Sequence, residues 1–228
     1  MGGAGLPGDD ERGGLGSRSA RRRRPWTRPR GTGTPIAIPS SGAGGVATVR
    51  DDARFDLVRT GIEIYGLAPS EELAGQVRDR LRPALALRAA VSALRTVEAS
   101  ERVSYGHRWQ APRRTRVATL PVGYADGLRR GLSGRIRVRL GGHDLPQVGT
   151  VTMDQVMVDV GEMDVEVGQV ATLLGDPAKG EPGVGEWAAT LDTIDYEITC
   201  GLSPRLPRVH HRAAESDGHQ GAFQEAVG

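Results

Sequence analysis

The sequence predicts a mainly β fold, either a sandwich or a small barrel, with one or two short helices. The first observation is a series of short runs rich in Val, Ile, Leu and Thr, separated by turns that contain glycine, at about 84–98, 115–121, 135–140, 145–151, 155–160 and 168–174. The second is the run Arg135–Leu140, where charged and aliphatic residues alternate as in a strand with one buried face. The third is the hairpin turn that Gly141–Asp144 supply directly after this run.

Few further elements are predicted outside these runs. Residues 53–66 include several apolar and β-branched residues and end at a glycine, which is typical of a buried strand and turn. Residues 71–82 predict a surface helix or turn that the following proline ends. A helix is predicted from Glu186 to Leu191, with Cys200 as its furthest limit. A last short strand is predicted over Leu206–His210.

The N-terminal end has a different composition. Residues 1–30 hold eight arginines against three acidic residues, and the chain through Gly45 is mostly Gly, Pro, Ser and Arg. Such a stretch cannot bury enough apolar surface to offset its chain entropy, so we predict disordered tails over 1–50 and 213–228. Two alternatives stay open for the first tail. Its arginines could contact phosphate groups, or, as an arginine-rich product of G+C-rich DNA, about the first 45 residues could come from a wrong reading frame.

Several functional classes are excluded by composition. A net charge of +2 gives no reason to expect a nucleic-acid partner. The single cysteine, Cys200, excludes an internal disulfide and favours the reducing cytoplasm. We expect no membrane segment, because no run reaches about 18 apolar residues. The five histidines and the cysteine lack zinc-ligand spacing, so no metal site is predicted.

A set of longer strings occurs in a fixed order along the chain. They are RTGIEIYG at 59–66, VSYG at 103–106 followed by Trp109, PVGYADG at 121–127, GTVTMDQ at 149–155, DYEI at 195–198 and SPRLPR at 203–208. Together they resemble the C-terminal portion of bacterial alanine racemase, an enzyme dependent on pyridoxal 5′-phosphate (PLP). The resemblance covers about residues 51–212.

The resemblance implies a domain organisation and an activity. The family joins an N-terminal (β/α)8 barrel, which carries PLP, to a C-terminal β-domain, and it works as a head-to-tail homodimer. It implies that residues 51–82 are a remnant of the end of the barrel and that residues 83–212 form the β-domain. The implied reaction interconverts L-alanine and D-alanine, which supplies D-alanine for peptidoglycan.

The resemblance also implies residue roles. Tyr105 matches the catalytic tyrosine, and the other matches are Arg59 facing the pyridine nitrogen, Gly61, Ile62 and Tyr196 at the cofactor phosphate, and Met153 and Tyr124 on the substrate side. Racemisation removes a proton from one face of the α-carbon and returns one to the other, so two acid/base groups must flank that carbon. Without the resemblance, Tyr105 would be interpreted as a half-buried packing residue with a bonded hydroxyl.

The second acid/base group of the family is a lysine that also binds PLP covalently. The single lysine here, Lys179, lies in a loop rich in glycine and proline, and we assign it to the surface. We therefore expect the chain alone to be inactive. Three interpretations remain: a truncated or frame-shifted racemase, one half of a split racemase completed by a separate barrel polypeptide, and a non-catalytic interaction module.

Overall fold

The computed structural model describes residues 40–43, 49–50 and 57–211. Its helices are α1 (Glu71–Val77), α2 (Val184–Leu191) and α3 (Asp195–Gly201), joined by several short 3-10 turns. Its strands are β1 (Ser40–Ala43), β2 (Leu57–Arg59), β3 (Leu87–Ala90), β4 (Ala93–Val97), β5 (Arg102–Val103), β6 (Trp109–Gln110), β7 (Thr115–Leu120), β8 (Arg137–Leu140), β9 (His143–Val148), β10 (Val156–Gly161) and β11 (Val170–Leu174). The predicted mainly β fold is confirmed.

The main sheet has seven antiparallel strands in the order β3-β11-β8-β9-β10-β7-β4. Strands β3 and β4 lie at its two ends, yet only Val91 and Ser92 separate them in the chain. The Val91 amide donates to the Gln169 carbonyl beside β11, and the Ser92 amide donates to the Thr119 carbonyl in β7, each at 2.9 Å. Because these two adjacent residues bond to strands near opposite ends of the sheet, the sheet must curl into a half-barrel.

The sequence pattern accounts for the central strands. In β8, Val138 and Leu140 are buried while Arg137 and Arg139 are only partly covered. In β10, Val156, Val158 and Val160 are buried and the residues between them are partly exposed. A period of two places successive side chains on opposite faces, so the buried residues of each strand point to one face.

Two clusters of buried side chains fix the domain. The larger lies between the curled sheet and the two C-terminal helices, with Trp187 of α2 and Ile198 of α3 among its buried members. The smaller contains Val97, Val103, Ala111, Val117 and Val148. Its members come from β4, β5, β7 and β9 and from the residue after β6, so it attaches the small β5–β6 hairpin to the sheet.

Helix α2 is tied to the sheet through one ion pair. The Arg137 guanidinium donates to both carboxylate oxygens of Glu186, at 2.9 and 2.7 Å. Arg137 also donates to the carbonyls of Gly180 and Glu181. The hydrogen bonds from Arg137 lower the pKa of Glu186, which also accepts the Gly183 amide at the start of the helix. A two-pronged arginine–carboxylate pair of this kind fixes both position and orientation.

Some element boundaries differ from prediction. The helix predicted from Glu186 starts two residues earlier, at Val184, and ends at Leu191 as predicted, where Asp192 adopts a left-handed φ of 55°. Its possible extension to Cys200 is a separate helix, α3. The strand predicted over Leu206–His210 is wrong, because those residues form no strand. Pro207, inside this segment, lacks the amide that strand pairing needs.

The tails were predicted to be disordered. Ser40–Ala43 lie inside the predicted N-terminal tail, yet they form β1 and pair in parallel with β2. The prediction was therefore wrong for those four residues. Residues 1–39, 44–48 and 212–228 lie outside the described residues, where disorder stays a prediction.

Candidate functional site

The β5–β6 hairpin carries Tyr105 at its tip. Val103 pairs with Trp109 across the hairpin, and Val103 is buried in the smaller cluster. Between the two strands, Tyr105–His107 form a 3-10 turn. The Tyr105 side chain is 75% exposed, which contradicts its interpretation as a packing residue.

The backbone of this tip is held in an uncommon conformation. Ser104 has φ 68° and ψ 169°, Gly106 has φ 75° and His107 has φ 49°. Positive φ is costly for residues other than glycine, so the surrounding structure must impose it on Ser104 and His107.

An open cavity of about 730 Å³ lies beside Tyr105. Its lining includes Tyr124 and Met153, so the structure brings together three of the residues singled out from the sequence. Arg130 and His107 also line it. The cavity therefore combines a phenol, a thioether, a cationic guanidinium and an imidazole, a set able to bind a small charged molecule and exchange protons with it.

Tyr124 and Met153 are fixed relative to each other by backbone contacts. The Tyr124 amide donates to the Thr152 carbonyl, and the Ala125 amide donates to the Met153 carbonyl, each at 2.9 Å. The two segments approach so closely that a Cβ on Gly123 would lie 2.3 Å from the Thr152 carbonyl oxygen. Only glycine fits at position 123.

A buried carboxylate supports the same turn. Asp126 is 6% exposed, and its Oδ2 accepts the Gly123 amide at 3.0 Å. Arg205 Nε lies 3.8 Å from Asp126 Oδ1. This partner offsets the cost of burying a charge and ties the turn to the segment after α3.

The predicted cofactor residues form a second group. Arg59 ends β2, Gly61 precedes a 3-10 turn over Ile62–Tyr65, and Ile62 is buried. A Cβ on Gly61 would lie 3.9 Å from Cε1 of Tyr196, so the Tyr196 ring lies beside the Gly61 backbone. The structure thus brings Gly61 and Tyr196 together, and neither of them nor Arg59 is among the residues that line the Tyr105 cavity.

Glu63 interacts with two members of this second group, Gly61 and Tyr196. Its Oε2 accepts the Gly61 amide at 3.0 Å, while its Oε1 is buried and has no hydrogen-bond partner among the described residues. Burial raises the pKa of the Tyr196 phenol, and the charge of Glu63 raises it further. The amide of Gly61 therefore already holds an anionic oxygen next to a tyrosine ring.

Lys179 and Cys200 are the single lysine and the single cysteine of the chain. Lys179 is exposed in the 3-10 turn Pro177–Lys179, as predicted from its loop. Cys200 is a free, exposed thiol in α3. No group of three His, Cys, Asp or Glu residues suited to hold a metal ion is found among residues 40–43, 49–50 and 57–211. Within the same ranges, no helix has the length and apolarity to cross a membrane.

Comparison with known proteins identifies the family. The family described as "Alanine racemase, C-terminal domain" matches residues 84–210, more than half of the chain. The chain belongs to this family. Alanine racemase of Mycolicibacterium smegmatis is 45% identical over 173 residues, covering 75% of this chain and 44% of the relative. Alanine racemase of a Nostoc species is 39% identical over 177 residues, covering 76% and 45%.

Solved alanine racemases share the fold. The enzyme from D-cycloserine-producing Streptomyces lavendulae gives a TM-score of 0.72 at 40% identity, covering 77% of this chain and 46% of that one. The enzyme of Bacillus anthracis with L-Ala-P bound gives 0.73 at 32% identity, covering 78% and 46%. The chain therefore spans less than half the length of the alanine racemases that it matches.

Proposed function

We propose that this chain supplies the β-domain of a PLP-dependent alanine racemase and that Tyr105 exchanges the α-proton on one face of alanine. One observation carries the proposal: in a member of this family, Tyr105 is 75% exposed at an open cavity that it shares with Tyr124 and Met153. A tyrosine that served packing would be covered, whereas a proton-transfer group must reach its substrate.

The neighbouring residues suit a small zwitterionic substrate. In one direction the Tyr105 oxygen accepts the α-proton, and in the other its hydroxyl returns one. The Met153 segment would bind the substrate carboxylate through its backbone, and Tyr124 would form part of the entrance. The backbone hydrogen bonds between the 124–125 and 152–153 segments keep these two groups at a fixed separation, which orients a small substrate in the cavity.

The second group of residues fits the cofactor. Gly61 donates its amide to an anionic oxygen of Glu63 beside the Tyr196 ring, which is the donor chemistry that a phosphate group needs. We assign Gly61, Ile62 and Tyr196 to the phosphate of PLP and Arg59 to its ring nitrogen. Arginine does not give up its proton, so it would hold that nitrogen as a hydrogen-bond acceptor. When bound, PLP supplies the stabilisation of negative charge at the α-carbon.

A complete site also needs a barrel portion, whether in the same polypeptide or in a partner. The chain has one lysine, Lys179, which is exposed in the 3-10 turn Pro177–Lys179 and does not line the Tyr105 cavity, so we assign the covalent anchor and the second acid/base group to a barrel portion. The parallel pairing of β1 with β2 is the kind found in (β/α)8 barrels, which supports the assignment of residues 51–82 to the end of the barrel. The exposure of Tyr105, Tyr124 and Met153 supports completion of the cavity by a partner, as in a homodimer, and the exposed free thiol of Cys200 suits the cytoplasm.

Reconstitution tests the proposal. The full 228-residue chain with PLP and L-alanine should form no D-alanine. Coexpression with the N-terminal barrel portion of Mycolicibacterium smegmatis alanine racemase should give a complex that forms D-alanine, measured by chiral chromatography. Tyr105→Phe should lower that rate by on the order of 10²-fold or more, because a phenyl ring cannot carry a proton. Racemisation by the chain alone, or an undiminished rate in the Tyr105→Phe complex, would contradict the proposal.

A further inference from the structure

We propose that Ser104 and Thr150 are positioning residues that lock the backbone of Tyr105, so that its side chain extends from a fixed point beside the cavity. The importance of this lock for racemisation rests on the proposed function. The lock itself is a property of the domain that can be measured without any activity.

Three hydrogen bonds join Thr150 to Ser104 and Tyr105 across the base of the hairpin tip. The Ser104 hydroxyl donates to the Thr150 carbonyl at 2.9 Å and accepts the Thr150 amide at 3.0 Å. The Thr150 hydroxyl in turn donates to the Tyr105 carbonyl at 2.8 Å. Each side chain therefore bonds to the backbone of the other segment, and Tyr105 is held from both its N-terminal neighbour and its own carbonyl.

The backbone of Ser104 is strained, and these hydrogen bonds must offset the strain. Ser104 has φ 68° and ψ 169°, a region where only glycine is unstrained. Gly149, with φ 71°, allows the close approach, since a Cβ there would lie 2.6 Å from the Ser104 Cβ. A strained residue persists only where its surroundings over-determine it, and the three hydrogen bonds with Thr150 do so here.

Exposure of Tyr105 makes this backbone lock necessary. A buried tyrosine is positioned by the side chains that pack against it, but a side chain that is 75% exposed has little such support. Thr150, by contrast, is 2% exposed and lies on the turn that follows β9. The lock thus connects the backbone of Tyr105, whose side chain lies outside the core, to the buried turn after β9.

The test is NMR relaxation on the full chain, with Thr150→Val as the main variant. Valine keeps the shape and removes the bond to the Tyr105 carbonyl. The order parameter of the Tyr105 amide should fall from about 0.85, typical of rigid backbone, to below about 0.6. Thr150→Ser, which keeps the hydroxyl, should restore it. Ser133→Ala is the matched control, because Ser133 also accepts one amide and donates to one carbonyl, those of Val151 and Arg130, without contacting Tyr105.

The outcomes separate this proposal from the proposed function. An unchanged Tyr105 order parameter in folded Thr150→Val, or an equal loss in Ser133→Ala, would overturn the lock. If Thr150→Val does not fold, Ser104→Ala decides by the same measurement. In the reconstituted complex, Thr150→Val should lower kcat by on the order of 10²-fold with KM unchanged. Loss of amide order with kcat unchanged would overturn the positioning role, whereas undiminished racemisation by Tyr105→Phe would overturn the proposed function and leave the NMR result intact.

Discussion

The two groups of candidate residues are held by different parts of the fold, one by the seven-stranded sheet and the other by a two-stranded sheet. Tyr105, Tyr124 and Met153 lie on turns that the curled sheet holds by backbone hydrogen bonds and a buried cluster. The group around Gly61 follows β2, a strand that pairs with β1 alone among the described residues and exposes Leu57 and Val58. Ile64, two residues beyond Ile62, is 66% exposed.

This difference distinguishes the Tyr105 cavity, which the β-domain forms alone, from the Gly61 group, which is expected to need contacts with another part of the enzyme. The Tyr105 cavity is assembled by the domain's own core, so it is expected to persist in the isolated chain. The Gly61 group presents apolar side chains that nothing in the described part of the chain covers, so it is expected to gain its final rigidity from a neighbouring barrel.

The largest expected effect comes from filling the space at Gly123. Its backbone is extended, with φ −152°, so the effect of Gly123→Ala is purely steric. The new Cβ would lie 2.3 to 2.5 Å from backbone atoms of residues 152–154. We expect the free energy of unfolding, measured in urea, to fall by about 3 kcal/mol. Gly75→Ala in α1, where a Cβ meets nothing within 4 Å, is the control and should cause no loss. Equal effects would remove the distinction between the two regions.

A second experiment compares local opening in the two regions. A two-stranded sheet is marginally stable, whereas β10 pairs with both β9 and β7. Amides of β2 should therefore exchange with deuterium at least about 10²-fold faster than paired amides of β10. Addition of the barrel polypeptide should slow exchange at 57–66 and leave β10 unchanged. Equal protection of both regions in the isolated chain would show that β2 needs no partner.

The smallest expected effect is electrostatic and concerns Tyr196. Its raised pKa means that the folded state favours the neutral phenol, so this contribution to stability is present below the ordinary pKa of about 10 and is lost as the pH rises through the folded pKa. Glu63→Gln removes one of the two causes, and the pKa of Tyr196 should fall. NMR titration of labelled tyrosines, with Tyr196→Phe for assignment, measures it. An unchanged titration would show that the Glu63 charge does not act on Tyr196.

The sequence predicted the regular strands and missed the features that tertiary contacts impose. The alternation over Arg135–Leu140 predicted β8, because buried and half-exposed positions differ in side-chain polarity. The ordered strings placed Tyr105, Tyr124 and Met153, which the structure brings to one cavity. The end of α2 at Leu191 was predicted, but α3 was not predicted as a helix of its own.

The contributions of Ser104 and Thr150 could not be predicted from the sequence. Both lie inside the quoted strings, yet nothing in those strings indicates that residues 46 positions apart exchange hydrogen bonds. Arg130 was missed because an arginine in a turn is ordinarily a solvated charge. Only the curl of the sheet brings its segment to the same cavity as the β5–β6 hairpin.

The exposed thiol of Cys200 follows Tyr196 by four residues, so both lie on the same face of α3. As the only cysteine, it can take a single fluorophore without mutagenesis. A dye at this point would report the arrival of a barrel polypeptide on the Gly61 side by a change in emission. The Tyr105 side would stay unlabelled, so the change in emission would report only binding near the Gly61 group.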